Sequence, residues 1–504
     1  MTKLLFFVFQ IIDTFRLGKN IKCGNSLIGH DYWEGQFQGS GGLGISDEER
    51  VKVNAFDWKT AFPEIFAQGG FDAVIGNPPY IPIFDLDKNW LTYFSRSFQS
   101  YEKRYDSYAM FIEKVIRLLI KENGYLGYII PSSLLNNLAF ANLRKFLANT
   151  TTVKEIRVLG GKVFTGVNKD TMTLVLQKNK EDALIDISFY DSSAAGWGIQ
   201  KRHFTIKDSE LMTNDEFSMS DSSERNTIEV IFSRRQTMPL NLICKSYQGI
   251  VTGSDNVFIV KQNEKIVFSK AESNFIKDFL FGGDIARYKQ VSAPQKIIYL
   301  TRHDTIKDKP NFEVRIAKDR DKLSKRRETQ QGKIPWYALH WPRDSKIFEK
   351  PKILIQGIRN LTLQRRIVAA LDETNAYAGV NLSILNLLPD SEYSLCFILG
   401  VLNSSLINYL FKHKFVDHRI KNIYIDSIPV RIINFTDPAD KARHDKMVSL
   451  VERMLELHKR NPRAPQEKES LAGEVKSVDR SIDELAYQLY GLTEDEIKIV
   501  EGKS

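Results

Sequence analysis

The sequence predicts an α/β domain over residues 1–235, a mixed α+β domain over 236–435 and a helical tail over 436–504. Three observations carry this reading. Apolar runs of strand length alternate with helical periodicity as far as residue 176, the pattern of strands and helices layered on one another. A polar, Ser-rich stretch over 191–236 has the composition of a domain junction, and beyond Pro239 short strand-like runs with turn signals replace the helical pattern. From Asp437 onward the spacing is helical again.

Taken in order, residues 20–29 (NIKCGNSLIG) read as a short strand ending in a polar turn, which sets Asn25 where a strand end faces a ligand crevice. Residues 35–50 are rich in Gly and charge and read as a surface insertion. Residues 71–80, Phe-Asp-Ala-Val-Ile-Gly-Asn-Pro-Pro-Tyr, are the most informative stretch of the chain. Val74 and Ile75 supply a short buried strand, and Gly76 lets the backbone leave it. Each proline fixes its own φ and confines the residue before it to extended conformations. Asn77, Pro78, Pro79 and Tyr80 therefore form a stiff tip at the C-terminal end of a strand, where open α/β sheets bind ligands.

Such a tip suits one kind of chemistry. The exocyclic amine of a nucleobase is a poor nucleophile, because its lone pair is conjugated into the ring. The side-chain carbonyl of Asn77 and the main-chain carbonyl of Pro78 can accept its two N–H bonds, and Tyr80 can stack on the base. The base has to leave the duplex to be reached. The plainer alternative is a proline-stiffened turn with Asn as a turn former.

Residues 104–124 place Tyr108, Phe111, Ile112, Val115, Leu118 and Leu119 at helical spacing, with Gly124 as the stop. A strand over 125–130 closes at Pro131, Ser132 and Ser133 open a further helix, and two strands over 153–159 and 170–176 flank the loop GGKVFTGVN. Phe164 in that loop either plugs the adjacent core or presents its ring to a ligand.

In the second half, Lys318, Arg320, Lys322, Lys325, Arg326 and Arg327 interleave with Asp319, Asp321 and Glu328 and read as a solvated helix face. Arg359, Arg365 and Arg366, then Lys412, Lys414, Arg419 and Lys421, are the better candidates for contacts to phosphate. In the tail, Asp437-Pro438 is an N-cap and first-turn pair, and Leu471, Val475, Val478, Ile482, Leu485 and Leu489 follow a 4-3-4-3-4 spacing. Gly491 ends that helix and Thr493 to Glu496 form a capping box for a last one.

At 504 residues, two or three domains are expected, and 42% hydrophobic residues suffice for packed cores. A net charge of +9 favours a polyanionic partner. Cys23, Cys244 and Cys396 are too few and too scattered for a disulfide framework or a Cys-x-x-Cys metal site, which fits a reducing cytoplasm, and no metal ligand set stands out. Residues 1–12 have the apolar length of a signal peptide but no small-residue cleavage site follows, and no stretch reaches the ~20 apolar residues needed to cross a bilayer.

The apolar strand ending in Asn77-Pro78-Pro79-Tyr80 resembles the signature of DNA amino-methyltransferases that modify the N6 of adenine, and its surroundings resemble the Eco57I/TaqI-type restriction–modification group. Further matches follow in order, at 279–288, 353–355 with 365–367, 399–408 and 428–430. The resemblance implies the C-terminal portion of a Rossmann-like class I methyltransferase domain, then a TaqI-like target-recognition domain. It implies S-adenosylmethionine as cofactor, with Asn25, Tyr108 and Phe111 beside it, and double-stranded DNA as partner. Asn77, Pro78, Pro79 and Tyr80 would be catalytic, with Tyr80 and Phe164 sandwiching a flipped adenine.

In that group a Gly-rich turn and an acidic residue that hold the cofactor precede the region matched here. The glycines of GSGGLG at 39–44 lack the flanking strand and helix that such a turn requires. The expectation is a chain without the N-terminal cofactor motif. The alternative function is a fragment or specificity subunit that binds DNA and needs a partner chain for methyl transfer. No Pro-Asp…Asp/Glu-x-Lys nuclease site is present in the sequence.

Overall fold

Residues 21–33, 46–160, 170–190 and 199–502 are described by the computed structural model, apart from 214, 215, 218, 220, 221, 234, 235, 263, 265–267, 290, 361, 362 and 416. The chain divides into two units, Met1–Glu224 and Arg225–Ser504. Each has its own sheets and its own core.

The first unit is built on six strands: β1 (Phe71–Gly76), β2 (Ile120–Pro131), β3 (Thr152–Gly160), β4 (Thr171–Gln177), β5 (Leu184–Tyr190) and β6 (Gln200–Lys207). They lie in the order β1-β2-β4-β3-β5-β6. Strand β1 runs parallel to β2 and β3 parallel to β5, while β4 is antiparallel to both of its neighbours and β6 to β5. Val74, Leu126, Ile130, Leu174 and Ile156 are buried on one face. Phe71 anchors the start of β1 in a cluster of rings from Trp58, Phe62 and Phe66. Gly70 leads in with φ at +120°, and a Cβ there would sit 2.6 Å from the Leu119 carbonyl, so only glycine fits.

Two local expectations change. The helical spacing over 104–124 gives a helix only over Tyr108–Lys114, followed by one wide turn, Val115–Leu119, and β2 begins at Ile120 rather than at 125. The register with β1 jumps from Phe71↔Ile120 to Ala73↔Tyr125, so Lys121 to Gly124 bulge outward with Asn123 at φ 63°. Cross-bonds between Lys178 and residues 123 and 124 hold the bulge. The helix expected at Ser132 is delayed to Ala141–Thr150, after two short 3-10 turns. Arg144 explains the delay: fully buried, it donates to the carbonyls of Leu134 (2.7 Å) and Asn137 (2.9 Å) and fixes those turns.

The second unit holds two four-stranded sheets. One has the order Cys244–Gln248, Leu382–Leu387, Lys352–Gln356, Ala369–Asp372 and is antiparallel throughout. The other has the order Ile259–Lys261, Gln295–Ile298, Ile276–Leu280, Tyr377–Ala378. The tail helices Pro438–Lys459 and Pro465–Leu489 bury Met447, Val451, Met454, Ile482 and Leu485 in the core shared with the helix Leu395–Asn403. That approach is close: a Cβ on Gly400 would meet the Met447 sulfur at 2.6 Å. The expected caps are present, Asp437 on the Ala439 amide and Thr493 with Glu496. The bent pair Leu395–Asn403 and Ser405–Lys414 has the length and composition of a membrane span, but its side chains are largely buried in this core. No single helix among the described residues is long and apolar enough to cross a membrane.

Glu272 organises one corner of this unit. Its fully buried carboxylate accepts from the amides of Ser269 and Asn311 and from the Asn311 side chain. Burial alone would raise its pKa, but the bonds from Asn311 and Ser269 win and bring it down to about 2. A lowered carboxylate pKa adds stability that is present above the unfolded value and fades as pH falls through the folded one. The stability difference between wild type and Glu272→Gln, from urea unfolding, is expected to be about 2–3 kcal/mol at neutral pH and to shrink between pH 4.5 and 2. A difference that does not change with pH would contradict this assignment.

Candidate active site

The Asn77–Tyr80 tip leaves the C-terminal end of β1, which is the edge strand of its sheet among the described residues. Asn77 is exposed, Pro78 is buried and Tyr80 is half-buried. What holds the tip is Ser107, the residue before the helix Tyr108–Lys114. Its hydroxyl donates to the Pro79 carbonyl at 2.7 Å and its amide donates to the Ile81 carbonyl at 2.8 Å. The Ile83 amide on the Tyr105 carbonyl continues this short ladder. Ser107 does not cap its own helix with its side chain, because the hydroxyl is committed to the tip. Sequence reasoning missed it, although a Ser before a helical run was the available signal.

The carbonyl of Pro78 receives no hydrogen bond from a described residue, so one of the two acceptors expected at the tip is not taken up within the chain. The other is covered. The Tyr80 hydroxyl lies 2.7 Å from Asn77 Oδ1 and 2.9 Å from the Ile129 carbonyl, and its single proton serves one of them at a time. Burial pushes the Tyr80 phenol up to about 12, so the proton stays on at any ordinary pH. Behind Tyr80, the fully buried Tyr108 meets its ring edge-on at 6.0 Å and stacks on Phe140 at 5.1 Å, with its hydroxyl 3.3 Å from that of Ser133. Tyr108 is thus a support for Tyr80, and Phe111 is buried in the same core. Neither ring lines an open surface.

Asn25 lies at the other end of the same helix. Its turn is closed by the Leu27 amide on Asn25 Oδ1 (3.2 Å) and tied by the Asn25 amide to the Asn54 carbonyl. Lys114, the last residue of the helix, donates from its buried ammonium to the Leu27 carbonyl at 3.2 Å, and burial lowers its pKa to about 8. The Ser26 hydroxyl in this turn is buried and has no hydrogen-bond partner among the described residues. Seven residues of helix, about 10 Å at ~1.5 Å per residue, connect the two places. Phe164 lies outside the described residues. No group of His, Cys, Asp or Glu that would hold a metal occurs among the described residues.

The basic residues singled out in the second unit fall into two sets. Arg366 is fully buried and donates to the Phe415 and Asp417 carbonyls. Arg365 joins Arg287 on Asp479 and on the Asn403 carbonyl, which fastens the tail helix to the sheet. Arg359 donates to Gln356 and to the Arg365 carbonyl, and Lys421 is paired with Asp417 at 2.6 Å. These four cations have internal work and are not presented to a ligand in this structure. Arg419 and Lys414 are exposed and Lys412 is half-buried. The cluster at 318–328 forms two short helices, Arg320–Ser324 and Arg327–Gln330. Arg326 turns inward between them to the Trp336 and Ala338 carbonyls, so that face is not wholly solvated.

Residues 2–164 match the Eco57I restriction-modification methylase family and residues 277–430 match the TaqI-like C-terminal specificity domain. The chain is homologous to the type II restriction–modification methyltransferases. Among its relatives, it is 26% identical to the type II restriction enzyme and methyltransferase RM.Eco57I of Escherichia coli, over 86% of this chain and 45% of that protein. It is 24% identical to the type II methyltransferase M.HindII of Haemophilus influenzae, over 76% of this chain and 79% of that one. The chain thus spans less than half of RM.Eco57I. The fold is similar to that of the type IIL restriction-modification enzyme MmeI, solved in complex with DNA, with a TM-score of 0.56 and 12% identity over 89% of this chain and 58% of that one. The comparisons do not favour the alternative of a specificity subunit acting through a partner chain.

The support given to Tyr80 is testable. Tyr108→Ala is expected to destabilise the first unit by about 3–5 kcal/mol, whereas Tyr108→Phe, which loses only the contact to Ser133, costs about 1 kcal/mol. Amide hydrogen exchange over residues 79–83 and 105–108 reads both. Wild-type protection there in Tyr108→Ala would mean that Tyr80 is supported from elsewhere.

Proposed function

We propose that this chain is a DNA adenine N6-methyltransferase of the restriction–modification class, with Asn77–Tyr80 as the base-holding site. The observation that carries the proposal is the Pro78 carbonyl, which no described residue bonds, next to Asn77 on a tip whose backbone Ser107 holds in place. Two acceptors side by side match the two N–H bonds of an exocyclic amine. Accepting both draws electron density onto the amine nitrogen, which then attacks the methyl carbon. With a methyl donor bound, an N–C bond would form as the donor's S–C bond breaks with its electron pair left on sulfur, and the surplus proton would pass from the nitrogen to water. The parallel β1–β2 pair with the antiparallel β4 beyond it supports reading the first unit as part of a Rossmann-like class I methyltransferase fold.

For this, the Tyr80 hydroxyl has to give up Asn77 Oδ1. Its second acceptor, the Ile129 carbonyl, makes the exchange cheap, because the proton turns from one oxygen to the other without losing a bond. The Tyr80 ring then stacks on the extruded base, a contact of roughly 1–3 kcal/mol. Phe164 is proposed for the opposite face of the base.

S-adenosylmethionine would supply an electrophilic methyl group on a positively charged sulfur. The Asn25 turn fits such a ligand, since the Ser26 hydroxyl is buried with no partner and a nucleoside group brings donors and acceptors to meet it. Asn25 and Ser26 are the residues that would hold it, while Tyr108 and Phe111, proposed from the sequence to lie beside it, are buried on the helix that joins this turn to the tip. The partner is double-stranded DNA, held by the second unit. Of the cations proposed for phosphate contacts, the exposed Arg419 and Lys414 are the better placed. Solubility in the cytoplasm goes with this reading.

Asn77→Ala is expected to lower methyl transfer to DNA at least 100-fold, an effect of the size seen when one preorganised polar group is removed, with duplex affinity unchanged. Tyr80→Phe is expected to keep transfer within a few-fold, and Tyr80→Ala to lose stacking and at least tenfold in rate. Tritium transfer from labelled S-adenosylmethionine and gel-shift binding measure both properties. Full transfer by Asn77→Ala would contradict the assignment.

A further inference from the structure

The second unit contains a cavity of about 910 Å³ that none of the residues considered so far explains. It is lined by parts of the segments 274–277, 299–304, 328–349 and by Tyr377, a stretch that overlaps the TaqI-like match. We propose that this cavity holds an unstacked nucleotide of bound DNA, with its base on Trp341 and its phosphate on Arg302 and Lys333. The inference deepens the proposed function and rests on its DNA-binding part.

The first support is Trp341. The residue is 47% exposed, yet its backbone is clamped in both directions to Val251, with N···O distances of 3.1 and 2.9 Å. The neighbouring His340 amide donates to the Thr252 carbonyl. A large apolar side chain left half in the open on a clamped backbone serves no core, and a fixed backbone lowers the entropy lost when something stacks on the ring. His340 lies against one part of the ring at 5.0 Å and the Arg343 guanidinium at 5.8 Å, which leaves a prepared platform. Indole rings of this kind carry unpaired bases in single-strand binders, because every base has a π-face.

The second support is the distribution of charge. Every carboxylate in the lining is already occupied. Asp304 accepts from the amide and hydroxyl of Thr301, and Glu328 is bonded to His340 at 2.7 Å. Asp344 caps the Lys346 amide, and Glu349 accepts from Tyr377 at 2.7 Å. Arg302 and Lys333, both exposed, make no ion pair among the described residues. The lining holds as many carboxylates as Lys and Arg side chains, and its two exposed cations unpaired among the described residues, Arg302 and Lys333, are the ones left to meet a phosphate.

The third is strain in the lining. Arg343 adopts φ 64°, where non-glycine residues are uncommon, and is held there by bonds to the Gln248 and Gly249 carbonyls and by the Tyr299 hydroxyl on its own carbonyl. Strain that surrounding bonds sustain is found at ligand clamps.

The test uses the full chain, a fluorescein-labelled duplex carrying 2-aminopurine, and deoxyadenosine monophosphate as a separate probe. Trp341→Ala is expected to weaken duplex binding roughly 5- to 100-fold, with Trp341→Phe close to wild type as the folding control. Arg302→Gln with Lys333→Gln is expected to reduce the slope of log K against log salt by about two. Wild-type affinity and salt slope in all three variants would overturn this inference and leave the DNA reading intact. No duplex binding by the wild-type chain would overturn the DNA reading and the inference together. Saturable quenching by the mononucleotide that Trp341→Ala abolishes, with duplex binding unaffected, would replace DNA by a free nucleotide and overturn the inference as stated.

Discussion

The hydrogen bond from the Ser107 hydroxyl to the Pro79 carbonyl is the contact on which the candidate active site depends. Two prolines limit the backbone of the tip, but restriction of φ does not say which way the tip points. Ser107 supplies the direction. It ties the tip to the start of the helix Tyr108–Lys114, whose first ring supports Tyr80 and whose last residue reaches the turn that contains Asn25. A single short helix therefore spaces the proposed base-holding tip from the candidate cofactor turn. Shifting that helix would move both together.

The tip is also closed on itself. With the Tyr80 hydroxyl beside Asn77 Oδ1, the amide oxygen is satisfied in the absence of a base, and the half-buried ring avoids leaving a bare acceptor in a partly desolvated place. The second acceptor at Ile129 makes the closed arrangement reversible. In the proposed site, Asn77 Oδ1 is released by rotation of one hydroxyl proton, with Tyr108 and Phe140 packed behind the Tyr80 ring.

Much of this was legible in the sequence, for identifiable reasons. The strand and prolines that make the tip are visible in ten consecutive positions, although Ile75, expected in a buried strand, is 74% exposed on an edge strand. The tail was legible because its caps and its 4-3-4-3-4 spacing are local as well. What could not be read was whatever depends on a partner distant in sequence. The bulge before Tyr125 exists because Ile120 pairs with Phe71. The late helix after Ser132 has a nearer cause, the burial of Arg144 against two carbonyls 10 and 7 positions back, which its residue type does not announce. The same limit applied to the arginines of the second unit. Arg365 and Arg366 read as phosphate ligands by composition, but Asp479, well over 100 positions away, and the carbonyls near 415–417 take them up. Trp341 and Arg302 gave no signal at all, since neither is remarkable until the cavity brings them together.

The central claim is that the tip presents two acceptors to the amine of adenine. Its most direct test is to incubate the chain with S-adenosylmethionine labelled in the methyl group and unmethylated DNA, digest the DNA to nucleosides and separate them. The account predicts label in N6-methyldeoxyadenosine, with none in cytosine derivatives. Label in N4-methyldeoxycytidine, or on protein with the DNA unlabelled, would contradict it.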